Sequence, residues 1–131
     1  MLVYVIKSKK NKDKKDLPCI IECHGGGGIT MHAMYLNGVM SRLCTMMDVV
    51  VFNIEYRLAP EHKTPAGAWD VVAAVKHFKE NAAKYGGDPN RLSLMGDSGG
   101  AWVAMIACVL LMREDPALPK QLIKTLYLCY P

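Results

Sequence analysis

Two short segments of this chain carry residue types that could do chemistry together. Gly96-Asp97-Ser98-Gly99-Gly100 has the form G-x-S-x-G, in which small neighbours let the backbone at the serine turn sharply and let other segments approach it. A serine presented on such a turn can attack a carbonyl carbon. Well upstream, His24 is followed by Gly25, Gly26, Gly27 and Gly28. Amides unshielded by side chains can face a carbonyl oxygen and stabilise the negative charge that grows on it as a nucleophile adds. Nucleophile and oxyanion donors together point to acyl transfer through a covalent intermediate. A phosphate-binding loop is the competing reading of the glycine run, but no G-K-[ST] follows it and the spacing does not fit. A flexible loop and an incidental serine are the blander alternatives.

The elements needed to hold these segments are visible in the flanking pattern. Leu2–Ile6 and Leu17–His24 are β-rich runs on either side of a lysine-rich stretch, which predicts an antiparallel hairpin leading into a sheet. Asp48 to Tyr56 (DVVVFNIEY) is nearly continuous in apolar and β-branched residues, as a strand covered on both faces should be. The next helix is predicted with Thr64 as N-cap and Pro65 in its first position. Val71, Val75, Phe78, Ala82 and Tyr85 supply its apolar stripe, and Gly86-Gly87 closes it. After a turn at Asp88-Pro89-Asn90, Arg91–Met95 is a strand that runs through Gly96–Gly100 into an apolar helix ending near Arg113. That helix, with Ala101–Met112 as the longest apolar run, reads as buried. It is too short to span a bilayer. Leu122–Tyr130 is a further strand. Strand and helix alternate with short connections, so the fold class is α/β, a mostly parallel sheet with helices on both faces. Ser98 then stands between a strand and a helix N-terminus, whose partial positive charge favours an oxyanion beside it.

Composition narrows the function classes. The chain has 131 residues, 51% hydrophobic and 21% charged, which suits one globular domain and excludes disorder, collagen and coiled coil. Its formal charge is +4, yet Lys7 to Asp16 holds six lysines against two aspartates, leaving ten basic and ten acidic residues elsewhere. This is a solvated loop and not the dispersed Arg and aromatic pattern of a nucleic-acid face, so no nucleic-acid partner is expected. Cys19, Cys23, Cys44, Cys108 and Cys129 are odd in number and form no C-x-x-C pair, which favours reduced, buried thiols and a reducing compartment such as the cytoplasm. No leader with a cleavage site opens the chain. An anchor upstream of Met1 stays open, and no signal indicates an oligomeric state.

His24–Gly27 (HGGG), Tyr56–His62 (YRLAPEH), Thr64-Pro65-Ala66, Asp88–Arg91 (DPNR) and Gly96–Gly100 (GDSGG) occur in the order and approximate spacing of one family. The chain resembles the hormone-sensitive-lipase-like branch of the α/β-hydrolases, which includes arylacetamide-deacetylase-like esterases and bacterial carboxylesterases. The resemblance covers about residues 2 to 131. It implies that Ser98 is the nucleophile, that the amides of Gly25, Gly26 and Gly99 form the oxyanion hole, and that His24 orients the loop it shares with Gly27. It also implies a small, fairly apolar ester as substrate and no cofactor. Two departures are local: Gly99 stands where the family usually has alanine, and Gly28 where a bulkier residue is commoner.

A third departure concerns the general base. In these hydrolases the chain order is serine, acid, histidine, but His24, His32, His62 and His77 all precede Ser98, and only Glu114 and Asp115 follow it as acids. The chain therefore reads as residues 1–131 of a partial catalytic domain that lacks the part carrying the triad acid and histidine, and by itself it should turn over little. A non-catalytic, receptor-like binding protein and an inactive truncated product are the alternatives. Among the remaining candidates, His62 braces loops and does not act as a base. His32 is a surface or packing residue that could line the pocket, and His77 is exposed. Asp97 is expected to hydrogen-bond structurally and to point away from Ser98. Cys19, Cys23 and His24 are too few for a zinc site, so no metal is expected. Met31, Met34, Met40, Met46 and Met47 are expected to pack the core face of a helix.

Overall fold

A computed structural model describes residues 1–131 throughout. Five strands, β1 (Leu2–Lys7), β2 (Leu17–Cys23), β3 (Val50–Glu55), β4 (Gly87–Asp97) and β5 (Thr125–Cys129), form one sheet. Four α-helices accompany them: α1 (Asn37–Met47), α2 (Ala66–Asn81), α3 (Gly99–Glu114) and α4 (Leu118–Leu122). The strand order is β1-β3-β2-β4-β5; β1 is antiparallel to β3 and all other neighbours are parallel. The expected class, a mostly parallel sheet with helices on both faces, is the observed one.

The two faces are unequally covered. On one, α2 and α3 pack against the sheet around Ile21, Phe52, Leu92, Leu94, Val71 and Phe78, with the Phe52 and Phe78 rings stacked at 3.7 Å. Burying each such side chain stabilises the fold by about 1.5–3 kcal/mol. On the other face α1 lies mainly over β1 and β3, where Met40 and Cys44 meet Val49 and Val51, with Ile20 and Met95 at the margin of the cluster. Toward β4 and β5 that face stays open as a concavity of about 380 Å3 lined mainly by Ile20, Leu43, Met95 and Tyr127.

Several local expectations are corrected. β1 and β2 form no hairpin, because β3 lies between them. β3 is buried from Val50 through Ile54, whereas β1 is partly exposed along its length; the strand that needs cover on both faces takes the inner position, and the half-exposed one takes the edge. The helix expected to open at Thr64-Pro65 begins at Ala66, with Pro65 at its N-cap and no side-chain cap. Its first turn is held instead by Asp70, which accepts hydrogen bonds from the Arg57 amide and guanidinium. The predicted turn at Asp88–Asn90 lies within β4 as an irregularity opposite Leu17 and Cys19, where the Asn90 amide bonds Asp88 Oδ1 at 2.8 Å. The last strand is confined to Thr125–Cys129 because Leu118–Leu122 is helical.

α3 is buried on one side only. Ala101, Ala104 and Ala107 let it approach the sheet, while Trp102 is 57% exposed. The methionine expectation fails for a related reason. Met40 alone is buried; Met46 and Met47 are exposed, since α1 has a neighbour on just one side, and Met31 and Met34 lie ahead of that helix, Met34 exposed and Met31 at a left-handed φ of 70°. All five cysteines are free, Cys19, Cys23 and Cys44 fully buried and Cys108 and Cys129 half-buried. No helix is long and apolar enough to cross a membrane.

Candidate functional site

β2 and β4 are parallel neighbours with Cys23 opposite Gly96, so the chain leaves both strands at the same end of the sheet. His24–Gly28 follows the first strand and Ser98 the second. Ser98 has φ 48° and ψ −121°, a region that costs a residue with a Cβ about 1–3 kcal/mol and persists only where the surroundings enforce it. Here its amide is fixed to the Cys129 carbonyl of β5 at 2.8 Å, and its carbonyl accepts from Ala101 and Trp102 in the first turn of α3. The hydroxyl is exposed and makes no hydrogen bond within the chain.

Glycine is required where these loops touch. A Cβ on Gly99 would lie 2.5 Å from the Gly27 nitrogen and 2.9 Å from that of Gly28, and one on Gly100 would collide with the carbonyls of Cys23 and His24. The G-x-S-x-G turn and the glycine loop are thus in backbone contact. None of the amides of Gly25, Gly26, Gly27 and Gly28 donates a hydrogen bond within the chain. Gly99 opens α3, where helix amides lack intrahelical acceptors. Two segments with unpaired backbone amides are therefore in contact next to the exposed Ser98. The nitrogens of Gly27 and Gly28 are the loop atoms packed against Gly99, while Gly25 is buried beneath Asp97, whose Oδ2 would be 2.5 Å from a Cβ there.

The segment from Tyr56 holds the glycine loop from behind. Tyr56 stacks on His24 at 4.4 Å and its hydroxyl donates to the His24 carbonyl at 2.5 Å, while the Ala59 amide donates to Gly28 O at 2.9 Å. His24 Nδ1 lies 2.8 Å from the Gly25 carbonyl. Burial holds the His24 imidazole below the usual histidine range, against the raising influence of that bond. A neutral ring that donates from Nδ1 leaves Nε2 as an acceptor, and Nε2 is buried without a partner.

The structure places the other candidates away from this role. His32, His62 and His77 are exposed, and no histidine is hydrogen-bonded to Ser98. His77 meets the edge of Phe78 on α2. The expectation that Asp97 hydrogen-bonds is corrected: its side chain packs over Gly25, and Oδ1 is buried and unpartnered. The Cys19 and Cys23 thiols lie in the apolar core, where burial pushes the Cys19 thiol up to about 11.

Two residues that sequence reasoning passed over belong to the site. Tyr56 is one; its signal was an aromatic residue at the end of a buried strand, inside a segment already singled out. Glu22 is the other, a lone acid in the apolar run IIECH, fully buried with neither carboxylate oxygen hydrogen-bonded. Burial, with the Asp97 carboxylate as a second cause, pushes its carboxyl up to about 8. Glu22 therefore carries its proton at neutral pH beneath the loop that bears Gly25.

Residues 20–131 match the family described as alpha/beta hydrolase fold. Human arylacetamide deacetylase-like 3 is 39% identical over 103 residues, which covers 79% of this chain and 25% of that protein. Carboxylesterase NlhH of Mycobacterium tuberculosis is 37% identical over 97 residues, 71% of this chain and 29% of the relative. Among solved structures, the thermophilic carboxylesterase EstE1 from a metagenomic library is similar with a TM-score of 0.81 at 29% identity, over 97% of this chain and 45% of its own. The chain thus spans less than a third of either curated relative.

Proposed function

This chain belongs to the alpha/beta hydrolase fold family, and from that premise we propose that it is the nucleophile-bearing part of a serine carboxylic ester hydrolase. Ser98 adds to the ester carbonyl, and the oxyanion takes hydrogen bonds from the amides of Gly25, Gly26 and Gly99. Within the loop Gly25 is buried, Gly26 and Gly28 are half-buried and Gly27 is exposed. Collapse of the tetrahedral intermediate expels the alcohol and leaves an acyl-serine that water then hydrolyses. His24 acts on the loop and not on the substrate, its ring bonded to Gly25 and stacked on Tyr56. A histidine and an acid from outside residues 1–131 supply the general base. Ile29, 61% exposed beside the glycine loop, suits esters of fairly apolar acids.

The observation that carries this reading is the enforced left-handed backbone at Ser98, held in backbone contact with a loop of unpaired amides. The test is hydrolysis of p-nitrophenyl acetate, butyrate and octanoate by the full-length protein and by Ser98→Ala. The expected result is a loss of about 10^4-fold or more in kcat with the melting temperature unchanged, and little turnover by residues 1–131 alone. A non-catalytic binding role is the better account if the full-length protein binds apolar carboxylic acids tightly, cleaves none of these esters and is indifferent to Ser98→Ala.

A further inference from the structure

The excess positive charge of this chain is collected at the end of the sheet opposite Ser98. β2, β3 and β4 all start there, at Leu17, Val50 and Gly87, and run toward the serine. The length of β2 separates the two ends by about 20 Å. The loop Lys7–Asp16, which caps the starting end, holds six lysines and two aspartates, and the remainder of the chain is balanced.

This loop is ordered by a few of its lysines, and others are left free. Lys7 Nζ donates to the carbonyls of Lys12 and Lys14 at 3.2 and 2.7 Å, tying the loop into a turn. Lys10 and Lys14 both pair with Asp48, at 2.9 and 3.0 Å. Lys9, Lys12 and Lys15 are exposed and have no ion pair or side-chain hydrogen bond. Between the loop and Ala83–Gly86 lies a concavity of about 520 Å3, lined by Lys7, Lys12, Lys14, Lys15 and Lys84 with Asp13 as its one carboxylate. Like charges held this close repel one another. An anionic surface would relieve that repulsion without asking for any fixed geometry.

We propose that this lysine pole docks the protein on a membrane surface carrying anionic phospholipid headgroups, with the Ser98 end directed away from the bilayer into the aqueous phase. Clusters of several lysines gain affinity for such surfaces additively, over a range set by ionic strength. A lysine ammonium is a compact point charge suited to a fluid array of headgroups. Nucleic-acid faces add several arginine forks and stacking aromatics; residues 7–16 contain neither, the concavity adds the single aromatic Tyr85, and the one nearby arginine, Arg91, is already bonded to Asp88 and to the Asp16 carbonyl. In this orientation the membrane holds the protein, and ester substrates reach Ser98 from the water side.

The test is co-sedimentation of the full-length protein with large vesicles of phosphatidylcholine alone or of phosphatidylcholine with phosphatidylserine, at low and at molar salt. The expected result is partitioning at least about tenfold stronger onto the phosphatidylserine vesicles, released by salt. The combined variant Lys9→Glu, Lys12→Glu, Lys15→Glu should abolish that preference. Its melting temperature and its hydrolysis of a soluble ester should not change, because the three side chains have no partner in the fold. Equal binding to both vesicle types overturns the proposal, as does retention of the preference by the triple variant. Tighter binding to an oligonucleotide than to phosphatidylserine vesicles at the same salt assigns the pole to nucleic acid and overturns it too.

Discussion

The two ends of the sheet are built on opposite principles. At the serine end, position is set by backbone: Ser98 is held at a left-handed φ, glycines of two loops touch, and the polar side chains beneath them, Glu22, His24 and Asp97, retain buried atoms without partners. At the lysine end, position is set by exposed side chains that pair with one carboxylate or with carbonyls, and half of the loop's lysines pair with nothing. Chemistry needs atoms fixed to fractions of an ångström, which close backbone packing supplies and long solvated side chains do not. The serine end should therefore be intolerant of small changes that the lysine end absorbs.

The largest test of that contrast is Gly100→Val, whose Cβ would meet two backbone carbonyls of the neighbouring segment. Neither can move without disrupting the end of β2 or the glycine loop that follows it. A loss of 3 kcal/mol or more, at about the scale of severe core disruption, is expected in urea unfolding, and a variant as stable as the parent would remove the basis for the close-contact argument. Next is Glu22→Gln. The folded-state carboxyl titrates at about 8 against a reference value of 4.5, so between these values the unfolded chain gives up a proton that the folded chain keeps. Stability contributed by this group therefore falls as pH rises from about 4.5 to about 8 and is level above that. Glu22→Gln should flatten that slope and gain on the order of 2–4 kcal/mol at pH 8. Parallel pH profiles for the two proteins would show that Glu22 is not the group responsible.

Smaller in scale is Tyr56→Phe, which keeps the stacking on His24 and removes the hydrogen bond to its carbonyl. A cost of about 1–2 kcal/mol is expected by thermal unfolding, with reduced labelling of Ser98 by a phosphonate in the full-length protein; no change in either sinks the bracing role. Smallest is Lys14→Ala at the other pole. Its ion pair with Asp48 is exposed, and such pairs contribute little to stability, so calorimetry should find the melting point unmoved. A clear drop would mean the lysine loop is as tightly specified as the serine turn and would erase the contrast.

Much of the serine end is legible without coordinates. G-x-S-x-G between a β-rich run and a long apolar helix locates the turn, because only small residues permit it, and the glycine run after β2 marks the second loop. The strand order was not legible. β1 and β2 flank a short loop and read as a hairpin, and only the burial demand of Val50–Ile54 shows why β3 intervenes. Asp97 illustrates a different gap. Its position in the strand predicts its direction, but its lack of a partner depends on Glu22 of β2 and Gly25 of the loop after it, which are distant in sequence.

The sequence by itself determined the alternation of strands and helices, the nucleophile candidate, the glycine loop and the isolation of charge in one lysine-rich segment, because all of these are local in the chain. Tertiary structure alone decided which strands are neighbours, that the Gly27–Gly28 backbone packs on Gly99, and that Glu22 is sealed in beneath the loop with a raised proton affinity. The reason is the same in each case: burial and close approach are properties of pairs distant in sequence, and a residue's chemistry is set by what the fold packs against it.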